Sequence, residues 1–211
     1  MRPFDQLLNE ATMMHRGCLC PGQVLGVRMA ILGCRLFGID EPNKDKRLIV
    51  YVEIDRCMAD AIAAVTGCRL GKRTLKHIDY GKCACTFVDV STGRAIRLLA
   101  RDDARNHVWR YVSLSLSKNE AQREAYKVMP DEELFIIQEV MVEIPDYDRP
   151  GKPISRVSCA ICGEGINDKR EVRLDGQMIC RACAHGSYYQ ELRKCTYGPV
   201  EKDRASQMGL T

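Results

Sequence analysis

The stretch RLIVYVEIDRCMADAIAAVTG, residues 47–67, carries both of the periodicities that decide the fold of the first domain. From Arg47 to Ile54 β-branched and aliphatic residues run almost unbroken, which predicts a buried strand. Beyond it Met58, Ala61, Ile62 and Val65 recur at i, i+3, i+4 and i+7. That spacing predicts a helix from Cys57 with one buried face, stopped by Gly67. The strand therefore delivers Asp55, Arg56 and Cys57 to the turn between two elements, a common place for chemistry.

Working outward, the upstream chain predicts two helices. Residues 3–16 place Phe4, Leu7, Leu8, Ala11 and Met14 on one face. After Pro21-Gly22, residues Gln23 to Leu36 repeat the pattern through Val24, Val27, Met29, Ile31 and Leu32 and end near Gly38, and a charged turn covers Asp40 to Lys46. Downstream, Cys83–Val90 and Arg94–Leu99 predict a hairpin around Ser91-Thr92-Gly93. Helical segments are expected at Asp102–Val112 and Lys118–Lys127, and a closing strand at Glu133–Ile144. These readings make residues 1–145 an α+β domain. Three prolines and a glycine in residues 145–153 mark a stiff linker, placed at 146–156.

The segment 157–190 is governed by Cys159-Ala160-Ile161-Cys162 and Cys180-Arg181-Ala182-Cys183, with seventeen residues between the pairs. Two Cys-x-x-Cys pairs complete the tetrahedral sulfur shell of a closed zinc site, and so short a segment needs the metal for stability. Gly163 and Gly165 suit a tight knuckle, and Glu171–Leu174 and Gln177–Ile179 predict two short strands around Asp175-Gly176. A zinc ribbon or treble-clef-like knuckle is therefore expected, with disulfides or a redox dithiol as the alternative. Asp5 and Glu10 interrupt the opening residues, so no secretory leader is expected and the cytoplasm is the expected compartment. Residues 191–211 are read as a tail.

Composition narrows the function classes. The chain has 211 residues, 12 of them cysteine, and Lys+Arg 32 against Asp+Glu 28 leaves a net charge of only +4. Neither that balance nor the 6% aromatic content favours a nucleic-acid surface. Arg170, Arg173, Arg181, Arg193 and Lys194 give the ribbon some basic character, but protein partners suit such a module as well. The longest apolar runs are broken by Arg28, Arg35 or Glu53, too early to span a bilayer. So many thiols point to metal or redox chemistry.

Three clusters in the first domain carry candidate chemistry: His15-Arg16-Gly17-Cys18-Leu19-Cys20-Pro21-Gly22, Glu53 to Ala61, and Thr66 to Cys85. Thiols before a helix feel its dipole, which favours nucleophilicity or metal binding. Together, "CPGQVLGVRMA", "VEIDRCMADAIAAVTGCRLGKRTL" and "DYGKCACTFVDVSTGRAIRL" resemble the FmdE family, a subunit of formylmethanofuran dehydrogenase and its bacterial relatives, over residues 12–140. Members of that family usually carry His-Gly-His-Leu-Cys-Pro-Gly in the first motif. Arg16 and Cys18 stand here at the histidine positions, while Cys20 matches the family cysteine, so a metal site would be softer.

The resemblance implies a mixed or antiparallel sheet covered by helices, a homodimer, an anaerobic setting, and an accessory or regulatory role beside a molybdenum or tungsten oxidoreductase. The alternative is a stand-alone metalloenzyme with a thiolate-rich site near Cys20 and Cys57. The family motif and the number of thiols single out Cys20 and Cys57, with Cys18, His15 and Asp60, as a second site for zinc, nickel or iron. Lys72 and Lys82 sit in Gly-Lys dipeptides that suit an anion, without the full phosphate-loop spacing. Cys34 and Cys68 read as packing residues, and Cys83 and Cys85 as neighbours on one strand face. His77 and His107 lack ligand partners at helical spacing, His185 follows an already complete quartet, and Cys195 reads as a free thiol.

Overall fold

The computed structural model describes residues 1–192 and divides into two compact units, one of residues 1–152 and one beginning at Pro153. In the first unit the chain runs α1 (Phe4–Met14), α2 (Pro21–Leu36), β1 (Leu48–Val52), α3 (Cys57–Thr66), β2 (Leu75–His77), β3 (Ala84–Asp89), β4 (Ala95–Ala100), α4 (Ala104–His107), α5 (Lys118–Val128), α6 (Asp131–Leu134) and β5 (Phe135–Val140). The five strands form one sheet in the order β2-β1-β3-β4-β5. β1 and β2 are parallel and every other pairing is antiparallel. The expected α+β class and mixed sheet are both present.

β1 is apolar without a break because both of its faces are covered. Leu48, Val50 and Val52 face the helices and join the main core with Phe87, Ile96 and Leu98. Ile49 and Tyr51 face the other way and pack with Val88, Ala95, Val140, Val142 and Ile144. The strand expected from Glu133 to Ile144 is thus shorter. It opens with the one-turn helix α6, and after Val140 the chain leaves the ladder to cover the second face of the sheet.

Two close approaches set the helix layer against the sheet. A Cβ on Gly26 would lie 2.7 Å from both Ala61 Cβ and Met58 O, so only glycine lets α2 and α3 touch at this point. Gly33 receives the Phe87 ring edge in the same way, with no room left for a Cβ. At the end of α3, Gly67 takes φ +70° and closes the helix as expected. α5 opens with a capping box in which Ser117 accepts from the Glu120 N–H. Its last carbonyls are held by Arg28, which donates to Tyr126 O, Lys127 O and Met129 O and pairs with Asp131.

Two further elements differ from expectation. The segment 102–112 is a one-turn helix followed by a 3-10 turn rather than a continuous helix. The segment between α3 and β3, which carries Lys72 and Lys82, contains β2, three residues that pair with β1 at Val50↔Leu75. Too short for any periodicity, β2 is held by its partners: Lys76 lies 2.9 Å from Asp148, and Arg73 donates to Tyr147 O.

The second unit contains β6 (Arg156–Ser158), β7 (Gly165–Asn167), β8 (Val172–Leu174), β9 (Gln177–Ile179) and α7 (Arg181–His185). β8 and β9 form the expected hairpin, with Asp175 at φ +48° and Gly176 at φ +77° supplying its turn. β6 and β7 form a second hairpin around the first cysteine pair. Arg193, Lys194, Cys195 and all of the expected tail after Leu192 lie outside the described residues.

Candidate metal centre and the Cys20–Cys57 pocket

In the second unit the sulfurs of Cys159, Cys162, Cys180 and Cys183 all lie within 4.8 Å of one another. Tetrahedral zinc with Zn–S bonds of about 2.3 Å requires sulfurs about 3.8 Å apart. Cys162 and Cys180 stand at 3.9 Å, so the quartet fits that ion. Cys159 and Cys162 lie in the turn between β6 and β7, Cys180 is the N-cap of α7, and Cys183 lies on its first turn. The backbone N–H of Cys180 donates to Cys159 Sγ at 3.2 Å, and that of Cys183 donates to Cys180 Sγ at 3.3 Å. N–H groups from Cys162 and then Cys180 bring the Cys159 thiol down to about 6. Cys183 is instead pushed up to about 12, chiefly by its hydrogen bond with Cys180. A bound dication would release that proton. Cys159 is buried with Ile166 and Ile179, so the metal ligands and the small apolar core share one wall. His185 ends α7 and is not one of the quartet.

In the first unit, Cys20 is the N-cap of α2 and Cys57 opens α3. The Gly26–Ala61 approach brings these two helix starts together. A Cβ on Gly22 would lie 3.7 Å from Cys20 Sγ and 3.6 Å from Cys57 Cβ, so both cysteines flank one small space. Each is half-buried. Burial first, and then hydrogen bonding and repulsion from Cys20, push the Cys57 thiol above its ordinary value, with Asp60 adding to the effect. His15, at the end of α1, places Nδ1 3.0 Å from Asp60 Oδ2 one turn into α3. Cys18 is exposed on the intervening loop. Among the described residues, the ribbon quartet is the group of three or more donors found to converge within 4.8 Å. The structure thus brings Cys20 to Cys57 and His15 to Asp60, without drawing these pairs and Cys18 into one shell.

The remaining thiols and lysines fall elsewhere. Cys34, Cys68 and Cys85 are buried in the main core, and burial raises all three. Cys83 precedes β3 and packs partly buried against the same core. Lys72 is exposed in a 3-10 turn, and Lys82 lies 5.7 Å from the Tyr80 ring centroid. His77 is exposed at the end of β2, and His107 lies 3.4 Å from Glu133. Sequence reasoning placed Glu53 in a candidate cluster but missed its partner: its two oxygens receive Arg97 at 2.6 and 2.7 Å where β1 leaves the sheet towards Cys57. The signal was faint: a carboxylate closing an apolar strand, with its arginine 44 residues away.

These elements define a two-part chain, an α+β domain with paired thiols at its helix starts and a four-cysteine zinc finger. The chain belongs to the FmdE family, described as the molybdenum formylmethanofuran dehydrogenase operon family, whose model matches residues 15–144. A second match, the prokaryotic dksA/traR C4-type zinc finger, covers residues 153–189. A curated relative, the "Probable S-adenosyl-L-methionine-binding protein" of Archaeoglobus fulgidus, is 28% identical over 88% of this chain. The chain spans about half, 54%, of that relative's length. The fold is shared with the crystal structure of a tungsten formylmethanofuran dehydrogenase FmdE-like protein from Syntrophus aciditrophicus. That match has TM-score 0.59 and 18% identity, covering 89% of this chain and 95% of the other. No helix among the described residues is long and apolar enough to cross a membrane.

Proposed function

We propose that the chain is a metal-binding accessory or regulatory component for a molybdenum or tungsten oxidoreductase of the formylmethanofuran or formate dehydrogenase type. In this reading the zinc finger docks a protein partner, and the Cys20–Cys57 pocket binds a second metal. The observation that carries it is the meeting of Cys20 and Cys57 at two helix starts, beside the His15–Asp60 pair, in a chain of this family. Two thiols with an imidazole and a carboxylate nearby are a donor set for zinc, nickel or iron. Elemental analysis of anaerobically purified protein tests it. Two metals per chain should fall to one in the Cys20→Ser, Cys57→Ser double variant. One metal unchanged by the substitutions would sink the second site.

The partial exposure of Cys20 and Cys57 also supports a second reading, a stand-alone metalloenzyme, because an open coordination position needs such access. S-adenosylmethionine, named for the Archaeoglobus relative, is the first small molecule to offer it; equilibrium dialysis showing no retention would remove that ligand. A homodimer is supported by β5, the last strand at one edge of the sheet, with Ile136 and Ile137 40% and 49% exposed. Sedimentation at the monomer mass would discard it.

A further inference from the structure

We infer that Cys20 and Cys57 form a reversible intramolecular disulfide, making the pocket a thiol–disulfide exchange site for small-molecule disulfides. Of the first-unit cysteines, this pair combines adjacency with access. Cys34, Cys68 and Cys85 are sealed in the core, Cys83 is partly buried against that core, and Cys18 is exposed on the loop. Cys20 and Cys57 are both half-buried, and a single Cβ placed on Gly22 would touch Cys20 Sγ at 3.7 Å and Cys57 Cβ at 3.6 Å, so the two residues stand side by side. The positions lie 37 residues apart in sequence, on two helices locked together at Gly26, so the pairing uses the fold rather than local chain flexibility.

Atoms and electrons balance over two exchanges. The Cys20 thiolate, its proton lost to solvent, attacks one sulfur of glutathione disulfide and releases one glutathione thiolate. Cys57, giving up its proton, attacks the Cys20 sulfur of the mixed disulfide and displaces the second glutathione. The protons end on the two glutathione thiols, the protein pair is oxidised and one external disulfide is reduced. Where the pocket also holds metal, a point that rests on the proposed function, the disulfide removes both sulfur ligands, so oxidation state would govern occupancy.

The test equilibrates the full chain with glutathione and glutathione disulfide mixtures, alkylates the remaining thiols in denaturant and maps peptides by mass spectrometry. The expected product is a Cys20–Cys57 linked peptide pair, two hydrogens lighter than the reduced peptides. It should be absent from Cys57→Ser, in which Cys20 accumulates as a glutathione mixed disulfide. Full alkylation of both residues under oxidising mixtures, glutathione retained on either one in the wild type, or a Cys18–Cys20 link would overturn it. Metal content of the fully reduced samples separates the two ideas. A link with no second metal removes the metal reading alone, and a second metal with no link removes this one alone.

Discussion

The four ribbon thiols and the Cys20–Cys57 pair differ in what holds their sulfurs in place. In the ribbon, the small apolar core of Cys159, Ile166 and Ile179 is itself built on a ligand, and backbone N–H groups aim at the sulfurs. In the first unit, the pair rests on two helices already anchored to a large core by Val24, Met58, Ile62 and Phe87, and the thiols add little to that anchoring. The ribbon illustrates a fold made by its site, and the pocket a site made by its fold.

The comparison is broken most directly by removing metal. A strong chelator, or Cys180→Ser, should unfold the second unit, because structural zinc supplies on the order of 10 kcal/mol to such modules. Hydrogen exchange should show amide protection lost across β6 to α7 and kept in α2 and β3. Equal loss in both units would show that the first unit also depends on metal. A smaller effect is expected from Gly26→Val, which drives a side chain into Ala61 and Met58 and should cost about 3 kcal/mol. It should lower the urea midpoint and separate Cys20 from Cys57; an unchanged midpoint would show that the helix approach can relax. The smallest effect is kinetic. Cys57 titrates above its ordinary value, so its reactive thiolate appears only at higher pH. Its alkylation by iodoacetamide near pH 8 should be several-fold slower than that of exposed Cys18, with the gap closing as pH rises. Equal rates would mean that Cys20 and burial exert no hold on it.

Much of this contrast was legible in the chain because period and spacing are local signals. The i, i+3, i+4, i+7 pattern after Cys57 gave α3, Gly67 its stop, and Asp175-Gly176 the ribbon turn. The two Cys-x-x-Cys pairs placed the metal quartet. Features resting on distant partners were silent. β2 exists through its ladder to β1 and the anchors at Tyr147 and Asp148, and no three-residue pattern announces that. The apolar run at 140–144 reads as continued strand because sequence does not say which face of a sheet still needs cover. The Cys20–Cys57 meeting depends on Gly26 accepting Ala61, a pairwise fact written in neither helix alone.

Arg28 carries a consequence for the order in which the molecule assembles. Its guanidinium ties α2 to the end of α5 and to Asp131 across 98 to 103 residues of chain. Loop-closure entropy makes such long-range contacts late events in folding, after local helices and the β3–β4 hairpin have formed. Until that clasp closes, the last carbonyls of α5 must find their partners in water. A nascent chain whose α5 is still inside the ribosome would therefore hold α2 already wound, with Arg28 still without its partners at Tyr126, Lys127, Met129 and Asp131.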